Sequence, residues 1–349
     1  MSIIFSKLAG TNDPYIGKFE HPIKALIENE SNDLEKKKTL LDVLYNVEKS
    51  KRYAETVMGQ GDFGLFQSAK EGAGAENDAP ESGFKKTIEH IPFMKEFTIT
   101  KEMLDDAKFG LPAEFRNRPK GFIRAYYRTR VKLGAWALAH GTSTSGTFNK
   151  ATVDLTVGDG LPLFHNAHKF ATTKFKGKTQ SNFYYDDKLC GDTAKLEKSL
   201  GILANKMRNF KDENGETLGY TPDIIVLPSN RPELEIDVKK VIGSERTTGT
   251  DYNDINTQYG NWTIVILDGW ETDDDRFMLM SSEANENLLG NMFYNRVALD
   301  IKSEVDIHTR NLIYNGYCRM GIGFSNWKHI LLAVKSSSAV TNATDLALA

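Results

Sequence analysis

Cysteine is scarce: the 349-residue chain has 2, Cys190 and Cys318. That is no disulfide framework, and it suits a reducing compartment. Charge of one sign is also lacking. The net charge is −3, so no overall basic field advertises nucleic-acid binding. No apolar run reaches the ~18 residues a membrane helix needs. The opening Met-Ser-Ile-Ile-Phe-Ser-Lys has no apolar signal core, so neither secretion nor membrane insertion is indicated. The signatures of catalysis are missing too. There is no Gly-x-Ser-x-Gly elbow, no His-Glu-x-x-His and no Cys-x-x-Cys. The glycine-rich stretch from Gly59 to Gly64 lacks the Lys and Ser/Thr of a phosphate loop. Asp273, Asp274 and Asp275 lack the glycine and distal glutamate of a calcium loop and read as a solvated turn. No internal repeat is evident.

What is present suffices for a sizeable core. Hydrophobic residues make up 40% and charged residues 26%, and the length allows two domains or one with large excursions. Residues 1–30 mix Gly, Asn, Asp and Pro with scattered apolar residues and read as an extended arm. Asn32 and Glu35 resemble a capping box, and Leu40, Leu41, Leu44 and Val47 follow at roughly helical spacing, so a short helix is expected over 33–49. Strand-like runs at 52–58 and 86–100 flank a glycine-rich, acidic segment, 59–84, and together predict a projecting hairpin. Pro119 is placed at the first position of a helix of about twenty residues, ~30 Å long, that ends near Gly141.

Asp192 caps a second helix, where Leu196, Leu200, Leu203, Met207 and Phe210 recur every three or four residues. A buried strand is expected between Pro222 and Pro228, then a helix opening at Pro232. Residues 244–261 read as a flexible polar loop. Strands are expected at 262–267, 277–280, 297–307 and within 311–324 and 327–334, and a tail at 336–349.

Two constellations carry chemistry. His165 and His168 stand three apart in Asp-Gly-Leu-Pro-Leu-Phe-His-Asn-Ala-His, 159–168. As metal ligands they would make a metal-dependent hydrolase, but no third ligand stands at a recognisable spacing, and Pro162, Gly158 and Gly160 favour a turn over a helix. The structural alternative is a pair of histidines that lock a turn. The second constellation is Arg116, Arg118, Lys120, Arg124, Arg128, Arg130 and Lys132, with no acidic residue among them. It reads either as a solvated or inter-subunit face or as a phosphate-facing helix without base recognition.

The order of elements, arm, short helix, acidic hairpin, long helix, Leu-Phe-His segment, capped helix, buried strand and closing strands, resembles that of tailed-bacteriophage major capsid proteins of the Hong Kong 97-type fold. Four stretches carry the likeness: 97–106 at a strand-to-helix entry; 160–168 with Ser181-Asn182, closest to the Mu-like head subunits; Pro222 to Pro228; and 296–323. The resemblance implies an α+β fold with an N-terminal arm (1–50), an extended loop (51–92), a peripheral domain with a long spine helix (93–222 and 295–335), an axial domain (223–294) and a tail (336–349). It implies a non-enzymatic protein without cofactor or metal that builds the pentamers and hexamers of an icosahedral shell around double-stranded DNA, assembled in the host bacterial cytoplasm. Implied partners are a separate scaffolding protein, a portal and a decoration protein. An encapsulin-like compartment shell is the alternative. Some relatives cross-link a loop lysine, a role open here to Lys70, Lys85 and Lys86. The loop at 59–84 is expected to order on a neighbouring subunit, with Phe63, Leu65 and Phe66 as its anchors.

Overall fold

A computed structural model describes residues 4–5, 16–60, 65–66, 68, 70–72, 74, 82–106, 113–172, 177–190, 192–246 and 255–348. Two sheets organise them.

The first sheet has five strands. Asn291–Val305 and Leu312–Phe324 form its antiparallel centre, Ile91–Ile99 lies outside the latter, and Ile4–Phe5 and Asn46–Lys49 both pair in parallel with the former. The long helix, Ala113–Ala139, packs on this sheet. Its Phe122 and Ile123 meet Ile99, Leu299, Ile301, Leu312 and Tyr314 in one apolar cluster. Close approach is possible because Gly316 has no side chain: a Cβ there would stand 2.5 Å from the Phe122 ring.

Pro119 does not start this helix. It lies inside, six residues after Ala113. The helix therefore accepts one missing backbone donor, a cost that burial of Phe122 and Ile123 one turn later offsets.

The N-terminal segment also differs from expectation. Residues Ile16–Glu35 are a helix, not an extended arm, and Ile27 is fully buried against the long helix and sheet. The expected helix at 33–49 is divided. Asn32 and Glu35 close the first helix instead of opening a new one. The Asp42 carboxylate then accepts from the Thr39 backbone N–H (2.8 Å) and hydroxyl (2.9 Å), which starts the short helix Leu40–Leu44. Val47 follows in a strand, consistent with its β-branched side chain.

The second sheet has six strands in the order Thr263–Leu267, Ile224–Pro228, Arg276–Met280, Ile330–Lys335, Phe183–Asp186 and Thr344–Asp345. Ile224–Pro228 is buried along its whole length, as the run between prolines predicts. The helices Thr193–Arg208 and Pro232–Gly243 supply Leu196, Leu200, Leu203, Met207, Leu234, Val238 and Val241 to the same core. This sheet takes strands from 183–186 and 330–335 as well as from 224–280, so its hydrogen bonding crosses the expected boundaries at 222 and 295.

Two further expectations need correction. Residues 336–348 are not a free tail: Thr344–Asp345 pairs with Phe183–Asp186, and Val340, Ala343, Leu346 and Leu348 pack on the core. Nor is 255–261 a free loop. Asn256 is buried, and its amide donates to the carbonyls of Val241 and Ser244 (2.8 Å to the latter), tying the segment to the end of a helix. Residues 247–254 lie outside the described residues.

Candidate assembly surfaces

The projecting hairpin consists of Ala54–Gln60 and Ser82–Glu89. Val57 and Ile88 seat its root on Met292 and Tyr294. His90 occupies the junction with the next strand. Its Nε2 lies 2.8 Å from the Ser50 hydroxyl, and its ring meets Tyr294 edge-on. Burial lowers the His90 pKa, helped by the Arg319 charge. Lys86 is buried, and its ammonium donates to Asp154 Oδ2 (2.6 Å) and the Thr156 hydroxyl (2.7 Å). That contact clamps the hairpin to the 154–156 segment of the same chain and occupies Lys86, whereas Lys70 and Lys85 are exposed. Of the three expected anchors, Leu65 and Phe66 are 73% and 107% exposed, and Phe63 lies outside the described residues.

The basic run is only partly free on the long helix. Arg118 donates to the Thr98 carbonyl (2.7 Å). Arg124 pairs with Glu30 at 2.6 Å, and Lys120 reaches the same carboxylate at 4.0 Å. The Arg130 guanidinium stands 5.7–5.8 Å from the ring centres of Tyr126, Tyr127 and Phe293. Arg128 and Lys132, four residues apart, are exposed on one face. The side chain of Arg116 lies outside the described residues. With Arg124 more than half exposed, Glu30→Ala is expected to change unfolding free energy in urea by less than ~1 kcal/mol. A larger loss would mean the helix Ile16–Glu35 hangs on this pair.

The two histidines do different things. His168 is fully buried between Asp159, whose Oδ2 is 2.8 Å from Nδ1, and the Leu163 carbonyl, 3.2 Å from Nε2, and it stacks on Trp327 with ring centres 4.6 Å apart. His165 is half-buried, and its Nδ1 accepts from the Ala167 backbone N–H at 3.0 Å. Among the described residues no three His, Cys, Asp or Glu side chains converge on a point that could hold a metal ion.

Burial raises the Asp159 pKa, but the hydrogen bond and charge of His168 outweigh it, and the net shift is downward. His329 is also fully buried, with Nε2 2.8 Å from Asn291 Oδ1, and burial lowers it to about 3. Both groups titrate lower in the folded state than in the unfolded one. Their contribution is complete above pH ~6.5, the ordinary histidine value, and is lost as pH falls, first through His329 and then through Asp159. Acid unfolding followed from pH 7 to pH 3 should therefore show falling stability, and His329→Gln should flatten the upper part of the slope. An unchanged slope would show that His329 is not the titrating group.

Asn182, part of the 160–182 motif in the sequence, has a role that the motif does not announce. Fully buried, it accepts from the His165 backbone N–H (3.0 Å) and donates toward the carbonyls of Leu163 (2.8 Å), Ile330 (3.2 Å) and Trp327 (3.4 Å). Nothing local in sequence announces partners so far along the chain.

No protein-family model matches the chain, and no curated protein sequence matches it. Solved structures do. A chain of the capsid of cyanophage P-SCSP1u is 11% identical with a TM-score of 0.52, over 86% of this chain and 89% of that one. A chain of Mycobacterium phage Patience is 13% identical with a TM-score of 0.50, over 99% of this chain and 95% of that one. This is the Hong Kong 97-type capsid fold. Among the described residues no helix is long and apolar enough to cross a membrane.

Proposed function

We propose that the chain is the major capsid protein of a tailed bacteriophage, a structural subunit that assembles with copies of itself into an icosahedral shell around double-stranded DNA. The observation that carries this reading is a capsid fold spanning nearly the whole chain, with the loop residues Leu65 and Phe66 left uncovered by their own subunit. The five-stranded sheet with the spine helix forms the peripheral domain. The six-stranded sheet forms most of the axial domain, including 183–186 and 330–335. The closer likeness to Mu-like head subunits rests on the 160–168 stretch with Ser181-Asn182. Scaffolding, portal and decoration proteins are the partners such a shell takes, and assembly in the host bacterial cytoplasm fits the two free thiols.

Electron microscopy of the purified protein is the test. Closed isometric particles are expected, and a protein that stays a single subunit at every concentration, salt and crowding condition would overturn the reading. Particles filled with a cargo protein and free of DNA would favour an encapsulin-like compartment instead.

The exposed pair Arg128 and Lys132 is the part of the basic run best placed to meet phosphate. Arg128→Glu with Lys132→Glu should leave the subunit folded and lower DNA retention in filled particles several-fold, with a weaker salt dependence. Equal retention and equal salt response would exclude a phosphate role for both.

A further inference from the structure

We propose that residues 340–348 are an edge stop, which prevents strand Phe183–Asp186 from pairing with another copy of the chain. An uncovered strand edge is a template for association. The edge beyond Phe183–Asp186 is covered by only two residues of strand, Tyr184↔Thr344 and Tyr185↔Asp345. The contact is reinforced beyond its C-terminal end. The Leu346 backbone N–H donates to the Tyr185 carbonyl (2.9 Å), the Leu348 N–H donates to Asp186 Oδ2 (2.6 Å), and Lys188 Nζ donates to the Leu348 carbonyl (2.6 Å). Asp186 is a buried carboxylate whose other oxygen is taken by the Lys188 N–H at 2.8 Å, so the segment covers and satisfies a charge that sits at the sheet's edge.

The covering strand is itself a poor template. Asn342 and Ala347 adopt left-handed backbone conformations, φ 60° and 49°, on either side of it, so a further strand finds no extended run to follow. Its outer residue Asp345 is charged and exposed. A very short edge with an exposed charge is how sheets avoid pairing. The opposite edge of the same sheet, Thr263–Leu267, is five residues long, has no left-handed residue within it, and exposes Ile266 by 38%. The sheet is thus blunted on one side and not on the other.

The test compares the full chain with one ended after Ser338, by sedimentation velocity below the concentration at which particles form. The shortened chain should associate at a concentration at least tenfold lower, and a synthetic peptide of residues 337–348 should return it to the sedimentation of the full chain. Leu346→Pro keeps the segment but removes the N–H that Tyr185 binds, and should associate in the same way; it decides the matter if the shortened chain does not fold. Identical sedimentation of variant and full chain, or association that the peptide leaves unchanged, would overturn the edge stop. Whether particles form at all is read separately by microscopy, so failure of the shell reading would be recognised as such.

Discussion

Asn182→Leu should lower the unfolding free energy by about 3–5 kcal/mol, a large part of the 5–15 kcal/mol typical of a folded domain. The leucine fills a similar volume but makes no hydrogen bond. It leaves the His165 N–H without an acceptor and the carbonyls of Leu163 and Ile330 without that donor, all inside the core. Each stranded buried group costs about 1–3 kcal/mol, reduced where a carbonyl keeps a second partner. Such a partner exists for Leu163, whose carbonyl also faces His168 Nε2. Urea unfolding of the isolated subunit measures the loss. A change below 1 kcal/mol would show that the 163–165 and 327–330 segments are held by packing alone.

Replacing both loop anchors, Leu65→Ser with Phe66→Ser, should have the opposite profile. Both side chains are exposed on their own subunit, so its stability should stay within about 0.5 kcal/mol of the parent. If each is buried on a neighbour, each contributes about 1.5–3 kcal/mol to that contact. Losing both weakens one contact by about 3–6 kcal/mol, at least a hundredfold in its association constant. The concentration needed for particles to form should rise accordingly, measured by light scattering across a dilution series. An unchanged threshold would remove Leu65 and Phe66 from the interface. A subunit that unfolds instead would place them in its own core.

Helical periodicity and turn residues were readable because their causes are local. Leu196, Leu200, Leu203 and Met207 share one face of a helix at any distance from the rest of the chain, and Pro222 just before and Pro228 at the end mark a strand without help. Misreadings arose where local signals competed. Asn32 and Glu35 offered a helix start that the preceding residues had already used, and Thr39 with Asp42 held the true one. Pro119 looked like a first helical residue because a proline inside a helix is tolerated only when packing compensates, here through Phe122 and Ile123. The candidate surfaces were legible as residue types but not as partnerships. The basic run gave no sign that Glu30 would take Arg124 or that three rings would surround Arg130. The clamp from Lys86 to Asp154 joins residues 68 positions apart, and no spacing rule reaches that far.

The place of Phe183–Asp186 in its sheet also sets a clock. Both neighbouring strands, Ile330–Lys335 and Thr344–Asp345, come about 150 residues later in the chain. At a synthesis rate of roughly 5–20 residues per second, that interval lasts roughly 7–30 s. During it the helix Thr193–Arg208 and the parallel pair at 224–228 and 263–267 can form, but the sheet that joins them to Phe183–Asp186 cannot close. Pairings this distant along the chain slow folding, because loop closure must precede any gain from contact. A growing chain therefore cannot present the finished six-stranded sheet to a neighbour until Ile330–Lys335 and Thr344–Asp345 have both been made.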